Sequence, residues 1–212
     1  MESAARDGGL WRAWTVATAL GELAGFAIPA AVGALLGAAG VAEVPMAVGL
    51  VIAGAGEGAV LGAFQGRALA RHLPGFPWRR WTAATSIAAL IAWILGMTPS
   101  TLLGGGEPPA LPTWAWALGG AVLGVAFLLV MGVAQWWVLR GGFRRAWRWI
   151  VASAIAWPLG VAVPVIALTS VPDGAPMVVH GIVGVVAGLG MGLVVGGITG
   201  RTLVRMLAEP VA

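Results

Sequence analysis

Long apolar stretches follow one another along the chain and are separated by short segments rich in glycine, proline and charge. Six of these stretches hold enough apolar residues to cross a bilayer, which takes about 20 residues of α-helix. The pattern therefore predicts an all-α integral membrane bundle of six transmembrane helices. The predicted spans are Leu10–Ala39, Pro45–Leu73, Trp81–Leu103, Trp114–Leu139, Trp147–Ser170 and Met177–Leu207.

Composition agrees with this reading. Of the 212 residues, 59% are hydrophobic and only 9% are charged, and the mean hydropathy is +0.94. A soluble domain needs more charged residues to cover its surface, so lipid is the expected solvent. Glu2 and Asp7 precede a first apolar run that is too long for a cleavable signal peptide. We therefore expect that run to be retained as the first span.

The arginines predict the orientation of the spans. In a six-span arrangement all twelve fall on one side of the membrane, whereas the connections on the other side carry only Glu43, Glu107 and Asp173. By the positive-inside rule, both termini face the cytoplasm. We therefore expect a single transmembrane domain, residues 1–212, in the cytoplasmic membrane of a bacterium. The arginines are Arg6, Arg12, Arg67, Arg71, Arg79, Arg80, Arg140, Arg144, Arg145, Arg148, Arg201 and Arg205.

Tryptophans accompany many of these arginines, most densely in the segment GVAQWWVLRGGFRRAWRW at 132–149. Arginine mixed with aromatic residues is also typical of nucleic-acid surfaces. A belt at the lipid headgroups explains the same residues without a nucleic acid, because the indole ring is amphipathic and arginine reaches phosphates. We therefore expect the bilayer as partner, no nucleic acid, and eight headgroup-level tryptophans: Trp11, Trp14, Trp78, Trp81, Trp136, Trp137, Trp147 and Trp149.

The chain also repeats itself. Segments led by Trp14, Trp81 and Trp149 read WTVATAL, WTAATSI and WIVASAI, and their starts are 67 and 68 residues apart. The even-numbered spans share a glycine, a polar residue and a leucine at fixed spacing, so we predict three helical hairpins at approximately 10–73, 81–139 and 147–207, related as parallel repeats. The shared positions are Gly62, Gln65 and Leu69, then Gly132, Gln135 and Leu139, then Gly196, Thr199 and Leu203.

Glycine recurs every fourth residue within spans two and six. Small residues at this spacing form a smooth seam along which helix backbones approach closely. Two interpretations follow: the seams pack inside one bundle, or they form the face for a homo-oligomer or another membrane protein. The seam residues are Gly54, Gly58, Gly62, Gly188, Gly192 and Gly196.

Two carboxylates lie inside predicted spans. Glu22 lies about 12 Å beyond Trp14 and Glu57 lies about 15 Å from Arg67 at 1.5 Å per residue, so they are at similar depth on adjacent antiparallel helices. Close carboxylates in a low dielectric are expected to share a proton, which is a basis for proton or cation binding. The alternative is that each stays neutral and bonds to backbone or to Thr18.

The repeated polar position, occupied by Gln65, Gln135 and Thr199, has two interpretations as well. These side chains either surround the mouth of a cytoplasmic cavity, where they orient a substrate as an inner gate, or tie neighbouring helices together by hydrogen bonds.

Catalytic signatures are absent from the sequence. It contains no G-x-S-x-G, no H-E-x-x-H and no P-loop, and it has neither cysteine nor lysine. We therefore expect no enzyme activity, no metal and no cofactor. The leading hypothesis is a carrier or channel for a small solute or ion that uses the Glu22 and Glu57 carboxylates. The alternative is a structural or accessory membrane subunit that assembles through the glycine seams.

One segment carries a family resemblance. The run from Gly132 to Arg140, GVAQWWVLR, precedes a span led by Trp149. It resembles uncharacterised bacterial multi-pass membrane proteins that have G-x-x-Q-W-x-V-L-R before a tryptophan-led span. The resemblance implies a small inner-membrane protein and brings no known activity.

Overall fold

The computed structural model describes residues 2–103 and 110–209, and side chains within 8–101 and 110–209. This part of the chain is all-helical, and each of its six helices is long and apolar enough to cross a membrane. The all-α, six-helix prediction is thereby confirmed, although the first helix begins well before Leu10. Glu107 lies outside the described residues. The helices are α1 (Glu2–Ala38), α2 (Glu43–His72), α3 (Trp78–Leu103), α4 (Thr113–Leu139), α5 (Arg148–Thr169) and α6 (Met177–Leu207).

Tight turns join several of the helices. Gly75 and Gly174 lie in the α2–α3 and α5–α6 connections with φ of +81° each, a left-handed conformation that costs glycine nothing. Connections this short force consecutive helices to lie side by side and antiparallel.

The helices form a closed ring. Each packs on the helix before it and the helix after it, and α6 packs on α1. Within the described chain, the backbones of helices that are not neighbours in the ring do not approach each other closely. Because neighbours are antiparallel, the arginines with described side chains gather at one end of the ring, where α1, α3 and α5 begin. We call this the arginine end, and the opposite one the far end.

Glycines set how closely the helices of this ring approach. A Cβ added at Gly62 would lie 2.9 Å from the Cα of Thr82, and one at Gly132 would lie 3.0 Å from the Cα of Ile150. A Cβ at Gly196 would lie 2.9 Å from the Cα of Thr15. The three even-numbered helices therefore meet the helix that follows in the ring through the same glycine position.

The remaining seam glycines divide into two groups. Gly54 and Gly58 face Trp93 and Ala89 of α3, and Gly192 faces Ala19 of α1, so these lie inside the bundle. At Gly188 an added Cβ would meet no atom within 4 Å. Five of the six seam residues thus pack within one copy of the chain.

Candidate functional site

Three tryptophans meet inside the ring near the arginine end. Trp14, Trp81 and Trp149 are 0%, 0% and 1% exposed. Their ring centroids are 5.7, 5.5 and 5.6 Å apart, and their planes cross at 74° to 80°. Edge-to-face packing of this kind matches the positive edge of one ring to the negative face of the next. We call these residues the tryptophan triad.

The triad corrects one expectation from the sequence. Trp14, Trp81 and Trp149 were expected at the headgroups, and that prediction is wrong because their helix faces turn into the ring. Other indoles at this end do pair with arginine: Arg201 lies 5.7 Å from the Trp11 ring centroid. Similar pairs join Arg67 and Arg79 to Trp78, and Arg140 to Trp136 and Trp137.

Each triad indole donates a hydrogen bond to the preceding helix in the ring. Trp81 Nε1 donates to Gln65 Oε1 at 3.2 Å, and Trp149 Nε1 donates to Gln135 Oε1 at 3.0 Å. Trp14 Nε1 donates to Thr199 Oγ1 at 2.9 Å. The structure therefore brings the repeated polar residues into one layer beside the triad, where they satisfy buried N–H groups.

The two glutamines continue this network to a third helix. Gln65 Nε2 donates to Thr18 Oγ1 at 3.2 Å, and Gln135 Nε2 donates to Thr85 Oγ1 at 3.1 Å. Gln135 Nε2 also lies 3.4 Å from Gln65 Oε1. Gln65, Gln135 and Thr199 are each 2% exposed, so these contacts tie helices together inside the bundle.

The third hairpin lacks the hydrogen bond that a glutamine donates to a threonine in the other two. Ser153 occupies the position of Thr18 and Thr85, and its buried Oγ has no hydrogen-bond partner among the described residues. Thr199 occupies the position of Gln65 and Gln135, and its shorter side chain makes no bond to Ser153. The Thr199 hydroxyl donates to the Val195 carbonyl instead, at 2.6 Å. A buried hydroxyl without a partner costs free energy.

Completing this network is expected to stabilise the protein. Thr199→Gln supplies the missing donor to Ser153 while its oxygen still accepts from Trp14, so we expect the free energy of unfolding to rise by about 1 kcal/mol. Thermal unfolding in detergent micelles measures the change. Thr202→Gln, on the same helix, is the control and should give no gain. If Thr199→Gln raises the free energy of unfolding by the same amount in a Ser153→Ala background, the proposed bond does not form.

Beyond the polar layer, toward the far end, lies a cavity of about 420 Å³. All six helices contribute to its wall, which is almost entirely apolar. Among the described residues that line it, Glu57 has the single charged side chain, and the aromatic residues are Phe26, Trp93, Phe127 and Trp157. The triad and its polar layer close the ring between this cavity and the arginine end.

Glu57 is half-buried in the cavity wall. Trp93 Nε1 donates a hydrogen bond to Glu57 Oε2 at 2.8 Å. No described residue donates to the second oxygen, Oε1. An indole therefore holds one carboxylate oxygen in place, and the other has no donor among the described residues.

Glu22 is only 2% exposed, and its buried Oε1 has no partner among the described residues. The hydroxyl of Thr18 accepts from Gln65 and makes no bond to Glu22. A Cβ at Gly25, one turn along α1, would lie 3.3 Å from Glu57 Cγ. Glu57 is therefore level with a position three residues beyond Glu22, a difference in height of about 4.5 Å at 1.5 Å per residue. Glu57 lines the cavity, but Glu22 is not among its lining residues.

No group of three or more histidine, cysteine, aspartate or glutamate residues lies together in the part of the chain that the structure describes. The sequence interpretation did not identify Trp93 as a residue of the site. Its signal was available, because an indole deep in an apolar span needs a partner for its N–H.

Comparison with known proteins matched no family model, no curated protein and no solved structure.

Proposed function

We propose that the chain is an integral protein of the bacterial cytoplasmic membrane, with both termini in the cytoplasm. The outward faces of the helices support this, because large apolar side chains such as Ile52, Val122 and Ile182 are 60% to 66% exposed along their lengths. Soluble proteins rarely leave apolar patches of that extent in water. The gathering of arginines at one end supports the orientation, since cytoplasmic segments carry the positive charge.

The three hairpins are, in this proposal, parallel repeats around an axis along the membrane normal. The tryptophan triad supports this with three nearly equal centroid distances. So do the indole hydrogen bonds to Gln65, Gln135 and Thr199, and the glycine contacts at one shared position. Three hairpins of one ancestral design bury their repeated positions against each other.

The activity we propose is the binding and transport of a small solute. The observation that carries it is the 420 Å³ cavity, which all six helices line and which contains the Glu57 carboxylate. Ionisable groups inside a membrane protein are costly and mark substrate or ion pathways. Glu57 contacts the solute, and Glu22 takes part in proton or cation coupling. In this state the cavity is closed toward the cytoplasm, because the tryptophan triad fills the ring at the arginine end.

The closing experiment measures proton-linked solute uptake into liposomes that contain a pH-sensitive dye. Glu57→Gln and Glu22→Gln are each expected to lower the flux at least about tenfold, because glutamine keeps the size but cannot exchange a proton. Glu43→Gln, at the exposed start of α2, is the matched control and should leave the flux unchanged. Unchanged flux in both interior variants would contradict the coupling.

An accessory subunit that assembles through glycine seams is the second candidate. It has less support, because Gly58, Gly62, Gly192 and Gly196 are occupied by contacts within one chain.

A further inference from the structure

We propose that the cavity binds lipophilic amines and that these enter sideways from the bilayer, beside α4. The inference rests on the proposed solute-binding function and names its substrate class.

The cavity wall has the chemistry that recognises an ammonium group. Phe26, Trp93, Phe127 and Trp157 line it together with Glu57. Aromatic faces attract cations through the ring quadrupole, and a desolvated cation gains the most from them. None of the described residues in the wall has a basic side chain, so a phosphate or carboxylate on the ligand would have no partner there. The ligand is therefore a cation with an apolar body, and a zwitterionic lipid headgroup fits poorly.

Glu57 is arranged to accept such a cation. Trp93 fixes Oε2 at 2.8 Å, which leaves Oε1 as the acceptor for one of the donors of an ammonium group. A buried charge needs a partner of opposite sign, and no described arginine lies in this wall to supply it. The volume of about 420 Å³ lies in the range of small-molecule sites.

The part of the cavity wall that the described residues form is incomplete beside α4. All buried residues of α4 lie in its last third, from Met131 onward. Before that point the side chains of α4 are exposed or only half-buried. In all, α4 contributes only Phe127, Val130 and Met131 to the wall. On the other side of the gap, Val165 and Leu168 of α5 line the cavity and are 54% and 40% exposed. The surroundings at this height are hydrocarbon, which favours entry of a lipophilic molecule from the lipid.

Dansylcadaverine, a fluorophore joined to a primary amine by an alkyl chain, tests the ligand class. With the full-length chain in phosphatidylglycerol nanodiscs, we expect saturable dansyl emission sensitised by tryptophan. The neutral analogue that ends in a methyl group should bind at least about tenfold more weakly, and Glu57→Gln should weaken amine binding to the same degree. Glutamine still accepts from Trp93, so the fold should hold, and Glu43→Gln should bind like the wild type. Equal binding of amine and neutral analogue would overturn the ligand class.

A single cysteine tests the route, because the chain has none of its own. Ala92 lines the cavity. Ala92→Cys should react with a lipid-soluble maleimide and resist a charged water-soluble thiosulfonate, and decylamine should slow the reaction. Glu43→Cys should react with the thiosulfonate. Rapid thiosulfonate labelling of Ala92→Cys with amine selectivity intact would overturn the lateral route and leave solute binding standing. Proton-linked flux that Glu57→Gln lowers, together with no detectable binding of amines, would overturn this inference and leave the proposed function standing.

Discussion

Replacing Trp149 by alanine is expected to lower the free energy of unfolding by about 3 kcal/mol, the low end of the range for removing a buried aromatic side chain. In the proposed membrane setting the low end applies, because the side chain stays in an apolar environment when the protein unfolds. Little hydrophobic transfer energy is then lost, and the cavity left behind accounts for most of the change. Trp149 packs on Trp14 and Trp81 at centroid distances of 5.5 and 5.6 Å. Its loss also removes the donor to Gln135 Oε1.

Thermal or denaturant unfolding in detergent micelles measures this change. The matched control is Trp147→Ala, two residues away, where the side chain is 56% exposed and packs little. We expect the alanine variants of Trp14 and Trp81 to lose stability to the same degree as Trp149→Ala, because the three share their contacts. A loss at Trp149 no larger than at Trp147, or a loss confined to one of the three, would contradict the role of the triad.

Much of the architecture could be predicted from the sequence, because the relevant signals are local. Helix length follows from runs of apolar residues, and the spacing of Gln65, Gln135 and Thr199 relative to their glycines marks one helix face. The similar depths of Glu22 and Glu57 followed from helical rise alone. These inferences need only the geometry of a single helix and the order of the spans.

The burial of the triad and the existence of the cavity could not be predicted in this way. An indole suits both a headgroup belt and a packed interior. The sequence around Trp14 is therefore compatible with either location, and only the closed ring distinguishes them. The bond from Trp93 to Glu57 joins two helices whose relative rotation no local pattern gives. The burial of the triad and the cavity both depend on closure of the ring, in which α6 meets α1 from the opposite end of the chain.

The three hairpins share residues beside the triad but differ around the cavity. Glu22 aligns with Ala89 and Trp157, and Glu57 aligns with Phe127 and Met191. All of these except Glu22 line the cavity. The repeated positions therefore tie the helices together near the arginine end, and the divergent ones make the wall of the cavity beyond them asymmetric.

The central claim is that this ring stands in the membrane with its arginine end in the cytoplasm. That orientation predicts an all-or-none difference between two exposed positions. Arg144 lies in the connection between α4 and α5 at the arginine end, and Asp173 lies in the connection between α5 and α6 at the far end. A single span, α5, separates them, so they must lie on opposite sides of the bilayer.

Labelling single cysteines with a membrane-impermeant maleimide on intact cells measures this directly, since no native thiol competes. We expect Asp173→Cys to be labelled completely without permeabilisation, and Arg144→Cys to be labelled only after the membrane is opened. Labelling of both cysteines in intact cells, or of Arg144→Cys alone, would contradict the account.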